Sequence, residues 1–351
     1  MPQMVGAQVV VTGANGFIGR WLVRELFRRG AHVRALARRP EAAHGLFADA
    51  VEVQPLDLGN TDRLTQSFAG ADVVFHAAGL YCFGLGHQRS LNETNILGTA
   101  RVLEAAVRAR VHRIVHLSSA SVLDGRSHPQ SLTHADDFPR SRPRFSPYKA
   151  SKWEAERIVL EAAARGAPAV IGSIPCPLGA EDTTPTPTGR MVHDFVRGRF
   201  HAYTHTGLNF IGIHDLTDGL IAVAERGTPG QRYILGQENL LLSEFLQRLA
   251  RWSHFPAPTV EIPWPVLACV GALGELAHLT SPHASRRLCL ETALQARHRQ
   301  FFCLRRTHDE LGWAARRPLD AALQESIAWF RGISTGTPAP VIPDVAPPQS
   351  V

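Results

Sequence analysis

Lysine is almost missing from this 351-residue sequence: only Lys149 and Lys152 stand against 35 arginines. Arginine meets the general need for positive charge here, so each lysine asks for a chemical reason. Tyrosine is scarce too, at four residues. The five cysteines, Cys82, Cys176, Cys269, Cys289 and Cys303, are widely spaced and form no CxxC pair. That pattern excludes a disulfide framework and a cysteine zinc site, and no metal is expected. No apolar run reaches the ~20 residues that a membrane span needs. An apolar strand begins within a few residues of Met1, so no signal peptide is expected. The expectation is a cytoplasmic protein, or one resting on a membrane face. The formal charge of +6 comes from scattered arginines without an aromatic-interleaved basic face. Nucleic acid is therefore not an expected partner. Cofactor phosphates or an anionic membrane surface account for the excess equally well.

What is present is an ordinary globular composition, 44% hydrophobic and 19% charged, long enough for one large α/β domain with a smaller addition. Short β-rich runs (Gln8–Thr12, His32–Ala37, Ala50–Gln54, Asp72–His76, Arg113–Leu117, Ala169–Ile174) alternate with amphipathic stretches (Phe17–Arg29, Thr94–Arg110, Tyr148–Arg165). That alternation predicts an α/β fold with a doubly wound parallel sheet, binding ligands beyond the carboxyl ends of its strands. From about Pro175 the texture changes, through the Pro/Thr loop Thr183–Gly189 to shorter elements. The reading is a nucleotide-binding domain over 1–174 and a smaller C-terminal α/β substrate region over 175–333, interleaved with the first. Ser334–Val351 holds five prolines and little periodicity, and reads as a disordered tail.

Gly13, Gly16 and Gly19 stand in Thr12–Gly19 (TGANGFIG) between the first strand and the first helix. At this spacing they allow a sharp turn, close approach of backbone to a pyrophosphate, and tight helix–sheet packing. The pyrophosphate would lie on the helix N-terminus. A glycine turn of no special purpose is the bland alternative, but this loop stands at the first β–α junction, where dinucleotide binding requires it. At the end of the second strand, Ala37 occupies the place where an NAD site presents a carboxylate to the ribose. Arg38 and Arg39 follow, and guanidinium forks suit a 2′-phosphate. NADP(H) is expected ahead of NAD(H), with two solvated arginines as the alternative.

Tyr148 and Lys152 lie at i and i+4 on one helix face. In a chain with so few of either residue, this YxxxK spacing would arise by chance about 0.02 times. A free phenol, with a pKa near ~10, exchanges protons poorly at neutral pH, and a neighbouring ammonium helps by favouring phenolate. The three lysine donors can also hold ribose hydroxyls. At the carboxyl end of the fourth or fifth parallel strand, Ser119, with Ser121 in reserve, can hold a substrate oxygen opposite the tyrosine. Ser118 reads as part of a serine-rich turn.

These residues resemble the extended short-chain dehydrogenase/reductase family over about residues 8–332. The resemblance implies cofactor contacts from Gly13, Asn15, Gly16, Phe17, Ile18 and Gly19, and from Asp57 and Leu58 of an adenine-contacting DL motif. It adds Ala77, Ala78 and Gly79 after His76, then Asn95, Pro175, Tyr148 and Lys152. Ser119, Tyr148 and Lys152 look like the catalytic set. Thr186–Arg190, Tyr203–Ile213 and Arg232–Gly236 are similar to signatures of the bacterial group named hopanoid-associated sugar epimerases or dihydroflavonol-reductase-like proteins, itself close to 3β-hydroxysteroid dehydrogenases. Two departures matter. Ser173-Ile174-Pro175-Cys176-Pro177 lacks the Asn-Pro with which relatives help hold a nucleotide sugar. Ala120 and Ser121 replace the Asp-Glu with which dehydratases expel water.

Leu80–His87 (LYCFGLGH), aromatic and glycine-rich, suits an apolar pocket. Residues 264–279 are apolar but too short to span a bilayer, and read as a buried helix or as a peripheral membrane contact. The expectation is an NADP(H)-dependent oxidoreductase acting on a secondary alcohol or ketone of a hydrophobic polycyclic molecule such as a sterol or terpenoid. One form is oxidation of a 3-hydroxyl followed by loss of a C4 carboxylate. The rivals are a sugar epimerase that retains its NAD(P), and a cofactor-binding regulatory protein without turnover. A homodimer stays open.

Overall fold

The computed structural model describes residues 4–43, 45–82, 85–123, 132–280 and 290–335. The strands are β1 (Gln8–Thr12), β2 (His32–Ala37), β3 (Glu52–Pro55), β4 (Val73–His76), β5 (Arg113–Ser119), β6 (Ala169–Ile174), β7 (Cys176–Leu178), β8 (Ala202–Tyr203), β9 (Gly207–Gly212), β10 (Arg232–Ile234), β11 (Glu238–Leu241) and β12 (Val260–Glu261). The helices are α1 (Phe17–Arg28), α2 (Thr61–Ser67), α3 (Gln88–Leu91), α4 (Gly98–Arg108), α5 (Pro147–Ala164), α6 (Pro187–Phe195), α7 (Ile213–Arg226), α8 (Leu242–Ser253), α9 (Trp264–Thr280), α10 (Leu290–Gln295), α11 (Arg305–Leu311) and α12 (Leu319–Thr335).

Seven strands form the central sheet in the order β10-β6-β5-β4-β1-β2-β3, and every pair is parallel. This is the doubly wound sheet the alternation predicts. Strands buried on both faces read as near-continuous apolar runs, and β4 shows it: all four of its residues are buried. One face packs against α1 and α7 through Val9, Val11, Phe75, Leu22, Leu216 and Leu220. The other packs against α2, α4 and α5 through Val10, Val74, Ile114, Leu64, Val102 and Val159. The strand order reverses between β1 and β4, and at such a point the loops diverge and leave a crevice.

The second region is built around the small sheet β11-β9-β7, with a core of its own from α6, α8 and α12. It is not a separate layer. Both α7 and β10 come from beyond residue 175 yet complete the central sheet. Helix α12 continues to Thr335, taking in the first two residues of the expected tail, and residues 336–351 lie outside the described set.

Two local differences from the sequence reading have physical causes. The expected helix over 94–110 begins earlier and opens with a wide π turn over Asn92–Leu97 before regular helix resumes at Gly98. Such turns commonly mark functional sites, and this one carries Asn95. Helix α9 is not the buried helix of the bland reading: Val266, Val270 and Leu273 are 51%, 49% and 66% exposed. No helix among the described residues is long and apolar enough to cross a membrane.

Candidate active site

The carboxyl ends of β1, β4 and β5 converge on one crevice. Gly13 has φ of +71°, and a Cβ there would lie 2.7 Å from the Ala78 backbone. Only glycine permits that turn so close to β4. A Cβ at Gly19 would fall 2.2 Å from the Gly13 carbonyl oxygen, so helix and loop meet backbone to backbone. At Gly16 a Cβ would meet only the Gly13 oxygen, at 3.2 Å, and otherwise points into open space. Gly16 is also the cap of α1, which has no side-chain cap and no acidic residue in its first turn. The first N–H groups of α1, around Phe17 and Ile18, are thus left to an anion. These features fit a dinucleotide pyrophosphate.

Around this loop the packing is specific. The Ala78 N–H donates to Thr12 Oγ1 at 3.2 Å, and that hydroxyl lies 2.9 Å from His76 Nδ1. His76 Nε2 lies 3.1 Å from Thr99 Oγ1, whose own proton goes to the Asn95 carbonyl. The proton on His76 is therefore on Nε2, with Nδ1 accepting from Thr12. Burial pushes His76 down to about 3, with the Lys152 charge adding to it. The neutral imidazole ties β1, β4 and the π turn together.

Asn95 Oδ1 accepts from the Leu80 N–H at 2.7 Å, while Nδ2 donates to Leu80 O at 3.0 Å and to Ser151 Oγ at 2.9 Å. Ser151 in turn donates to the Tyr148 carbonyl. The asparagine thus joins the loop after β4 to the tyrosine helix. A Cβ on Gly79 would sit 3.3 Å from Lys152 Nζ and 3.5 Å from Asn95 Oδ1.

Ser146 caps α5 by accepting from the Lys149 N–H at 3.0 Å, and Pro147 occupies the first turn. Tyr148 and Lys152, one turn apart, are 2% and 9% exposed. Ser119, the last residue of β5, hydrogen-bonds the Tyr148 phenol and shares a 2.8 Å hydroxyl contact with Ser121. Ser118 turns to the opposite side, donating to Glu156 at 2.6 Å. Ser119, Tyr148 and Lys152 are thus brought together.

The electrostatics differ from the sequence reading. Burial raises the Tyr148 phenol, against the pull of Ser119, with Glu291 and Cys82 raising it further. Lys152 Nζ donates to the Leu117 carbonyl at 3.1 Å, and its direct charge does not offset that burial. Burial lowers Lys152 itself to about 8, opposed by Glu156.

The remaining expected residues follow the carboxyl ends of β1, β2, β3, β4 and β6. Asp57 Oδ1 accepts from the Gly59 N–H at 2.9 Å, and Leu58 packs against Gly98. Arg38 is exposed at the end of β2 and Ala37 is fully buried. Asn15 offers its carbonyl to Arg20 at 2.9 Å. Ala77 and Pro175 lie at the ends of β4 and β6. Tyr81, 45% exposed, sets its ring edge against Tyr148 with centroids 4.2 Å apart. Phe83 and Gly84 of the same segment lie outside the described residues. No group of three metal-ligating side chains occurs among the described residues.

Sequence reasoning missed Glu291, which accepts a hydrogen bond from Ser146 across 145 residues of chain. No local pattern announces it. The chain matches the NAD dependent epimerase/dehydratase family over residues 9–236. It belongs to that family. This extended short-chain dehydrogenase/reductase is 28% identical to sterol demethylase protein B of Methylococcus capsulatus, over 92% of this chain and 98% of that protein. It is 33% identical to the 4-hydroxy-2-methyl-3-oxo-4-farnesyl-3,4-dihydroquinoline-1-oxide ketoreductase of Stigmatella aurantiaca, over 76% and 79%. A nucleoside-diphosphate-sugar epimerase from Pseudomonas aeruginosa superposes with a TM-score of 0.76 at 26% identity, covering 93% of this chain and 98% of that one.

Proposed function

We propose that this enzyme interconverts a secondary alcohol and a ketone on a hydrophobic polycyclic substrate of the sterol or terpenoid class, with NADP(H) preferred to NAD(H). The observation that carries the reading is the buried Ser119–Tyr148 hydrogen bond one helical turn from Lys152. When bound, the nicotinamide supplies or accepts the hydride. Tyr148 gives or takes the proton at the substrate oxygen, and Ser119 orients that oxygen. Lys152 holds the ribose and presents its charge to the phenol as phenolate develops. The half-exposed Tyr81 ring offers an apolar wall beside Tyr148. The relatives named for sterol demethylation and for reduction of a farnesylated ketone support the substrate class. Arg38, exposed beside a buried alanine in place of the ribose carboxylate, supports the 2′-phosphate.

A second reading, sugar epimerisation with retained cofactor, is favoured by the likeness to a nucleoside-diphosphate-sugar epimerase. Stoichiometry separates the two. Purified enzyme is incubated with NADP+ or NAD+ and panels of sterol alcohols and nucleotide sugars, following cofactor absorbance and product mass. The expected result is NADPH formed in step with ketone, falling about 10²- to 10⁴-fold in Tyr148→Phe. Interconversion of a sugar epimer without net cofactor change, with every apolar alcohol ignored, would overturn the redox reading. Equal affinity for the two cofactors would overturn the NADP(H) preference.

A further inference from the structure

Glu291 arrives from the far end of the chain. Helix α10 carries it onto the start of α5, where Ser146 donates its hydroxyl proton to Glu291 Oε1 while accepting from the Lys149 N–H. Glu291 is 3% exposed. A carboxylate is stabilised at that spot because the first turn of an 18-residue helix presents partial positive charge. Ser146 lies two residues before Tyr148, so Glu291 is held at the start of the tyrosine helix.

We propose that Glu291 is a positioning residue for Tyr148: through Ser146 it pins the start of the tyrosine helix and sets a negative charge there, which favours donation of a proton to a carbonyl. In that direction the carbonyl carbon would accept the hydride that a bound reduced nicotinamide supplies, leaving that cofactor oxidised, and the carbonyl oxygen would take the Tyr148 proton. The product is a secondary alcohol, and the phenolate recovers its proton from solvent. A negative charge nearby makes the phenol reluctant to ionise, which is the direction of the influence Glu291 exerts on both Tyr148 and Tyr81. The other groups around the phenol are Tyr81 and Cys82 from the loop after β4, Ser119 from β5, and Lys149 and Lys152 on α5 itself. Of these, Ser119 favours ionisation of Tyr148 and Cys82 opposes it. The Lys152 ammonium is directed to the Leu117 carbonyl. Glu291 is the carboxylate among the groups acting on both phenols.

The inference rests on Tyr148 as the proton-transfer group, and its test uses the cofactor-free protein. Phenolate absorbance is titrated with pH in the parent, in Tyr148→Phe and in Glu291→Gln. The step missing from Tyr148→Phe identifies Tyr148. Glutamine keeps the acceptor for Ser146 and removes only the charge. Its Tyr148 step should fall by at least ~0.5 pH unit. The high-pH loss of ketone reduction should move down equally, and the ratio of oxidation to reduction at pH 8 should rise about 3-fold. An unchanged or raised Tyr148 step in Glu291→Gln would overturn the proposal. Should that variant not fold, Ser146→Ala unseats the carboxylate without removing it. A smaller downward shift is then expected, and none would overturn the proposal. The titration is independent of substrate, so failure with sterols sinks the substrate reading alone.

Discussion

At the scale of the residue, Lys152 shows what the site sacrifices. Its ammonium is nearly buried, and burial lowers it from 10.5 to about 8, with Glu156 pulling the other way. Near neutral pH the folded chain therefore holds a charge in an unfavourable place. A group whose folded pKa lies below its unfolded value binds its proton more weakly when folded. Stability therefore rises as pH climbs from about 8 to about 10.5, and below that window the burden is constant. In cofactor-free protein, Lys152→Met removes the charge and also the donor to Leu117. The burden is at most about 3 kcal/mol and the lost hydrogen bond returns about 1. We expect a net gain of about 1 to 2 kcal/mol at pH 7 with catalysis abolished. That gain should largely fade by pH 10.5, where the parent lysine is neutral when folded and already half neutral when unfolded. Denaturant titrations at the two pH values check it; a variant less stable than the parent at pH 7 contradicts it.

At the scale of the element, the loop after β7 clamps α1 and carries a second burdened group. Trp21 Nε1 donates to the Ala180 carbonyl at 3.0 Å, and Arg20 and Arg24 both pair with Glu181. Glu181 sits at φ of +65°, an uncommon conformation for a non-glycine residue. Next to it Asp182 is 1% exposed. Its Oδ2 accepts from the N–H and hydroxyl of Thr186, each at 2.8 Å. Burial raises its carboxyl to about 6, against Thr186, Arg20 and Arg190. Here the folded state binds the proton more tightly, so the stabilisation is present below about pH 4 and lost as pH rises to 6. The amplitude is up to about 3 kcal/mol. Asp182→Asn keeps an acceptor for Thr186 and cannot titrate. We expect its stability relative to the parent to increase between pH 4 and 6.5 and then level off; a flat difference across that range would contradict the assignment. These clamps were illegible beforehand. Thr183–Gly189 reads as a loop from its prolines and threonines, but nothing in its composition says which helix it holds. Glycine-loop and YxxxK chemistry could be read because each is confined to one β–α junction or one helical turn. The π turn could not, because the 3.6-residue apolar period runs through Asn92–Leu97 with only a local widening.

At the scale of the whole molecule, the parallel sheet followed from alternation, but not the ownership of its last strand and one of its covering helices. The pattern sets a boundary near residue 174 with the two regions interleaved, and α7 and β10 are the elements that cross it. Helix α7 lays Ile213, Leu216, Leu220 and Val223 into the same core as Val9, Phe75 and Leu22. Strand β10 pairs with β6 and sends Arg232, 5% exposed, to the fully buried Glu156 on α5. That guanidinium also donates to the Ala135 carbonyl and lies over the Phe138 ring at 4.7 Å. Arg113 of β5 reaches the Gly227 carbonyl at 2.8 Å. A fragment ending at 174 would uncover the part of one sheet face that α7 covers, open β6 as an edge, and leave the buried Glu156 without its Arg232 partner. An uncompensated buried charge alone removes about 3 to 5 kcal/mol, a large share of what a domain has. We therefore expect residues 1–174 alone to be insoluble or unfolded by circular dichroism and proton spectra. The full chain should unfold in one calorimetric transition, without a separate melting of the C-terminal region. Arg232→Met in the full chain should lower stability by the same 3 to 5 kcal/mol, and Glu156→Leu beside it should recover most of that loss, since two apolar side chains need no partner. A folded 1–174 fragment, or two resolved transitions in the intact protein, would show that the boundary in the sequence is also a boundary in the energetics. Activity would then depend on docking between two independent bodies. As built, the sheet that carries the crevice between β1 and β4 is finished at one edge by β10 and covered on one face by α7, and both come from beyond residue 174.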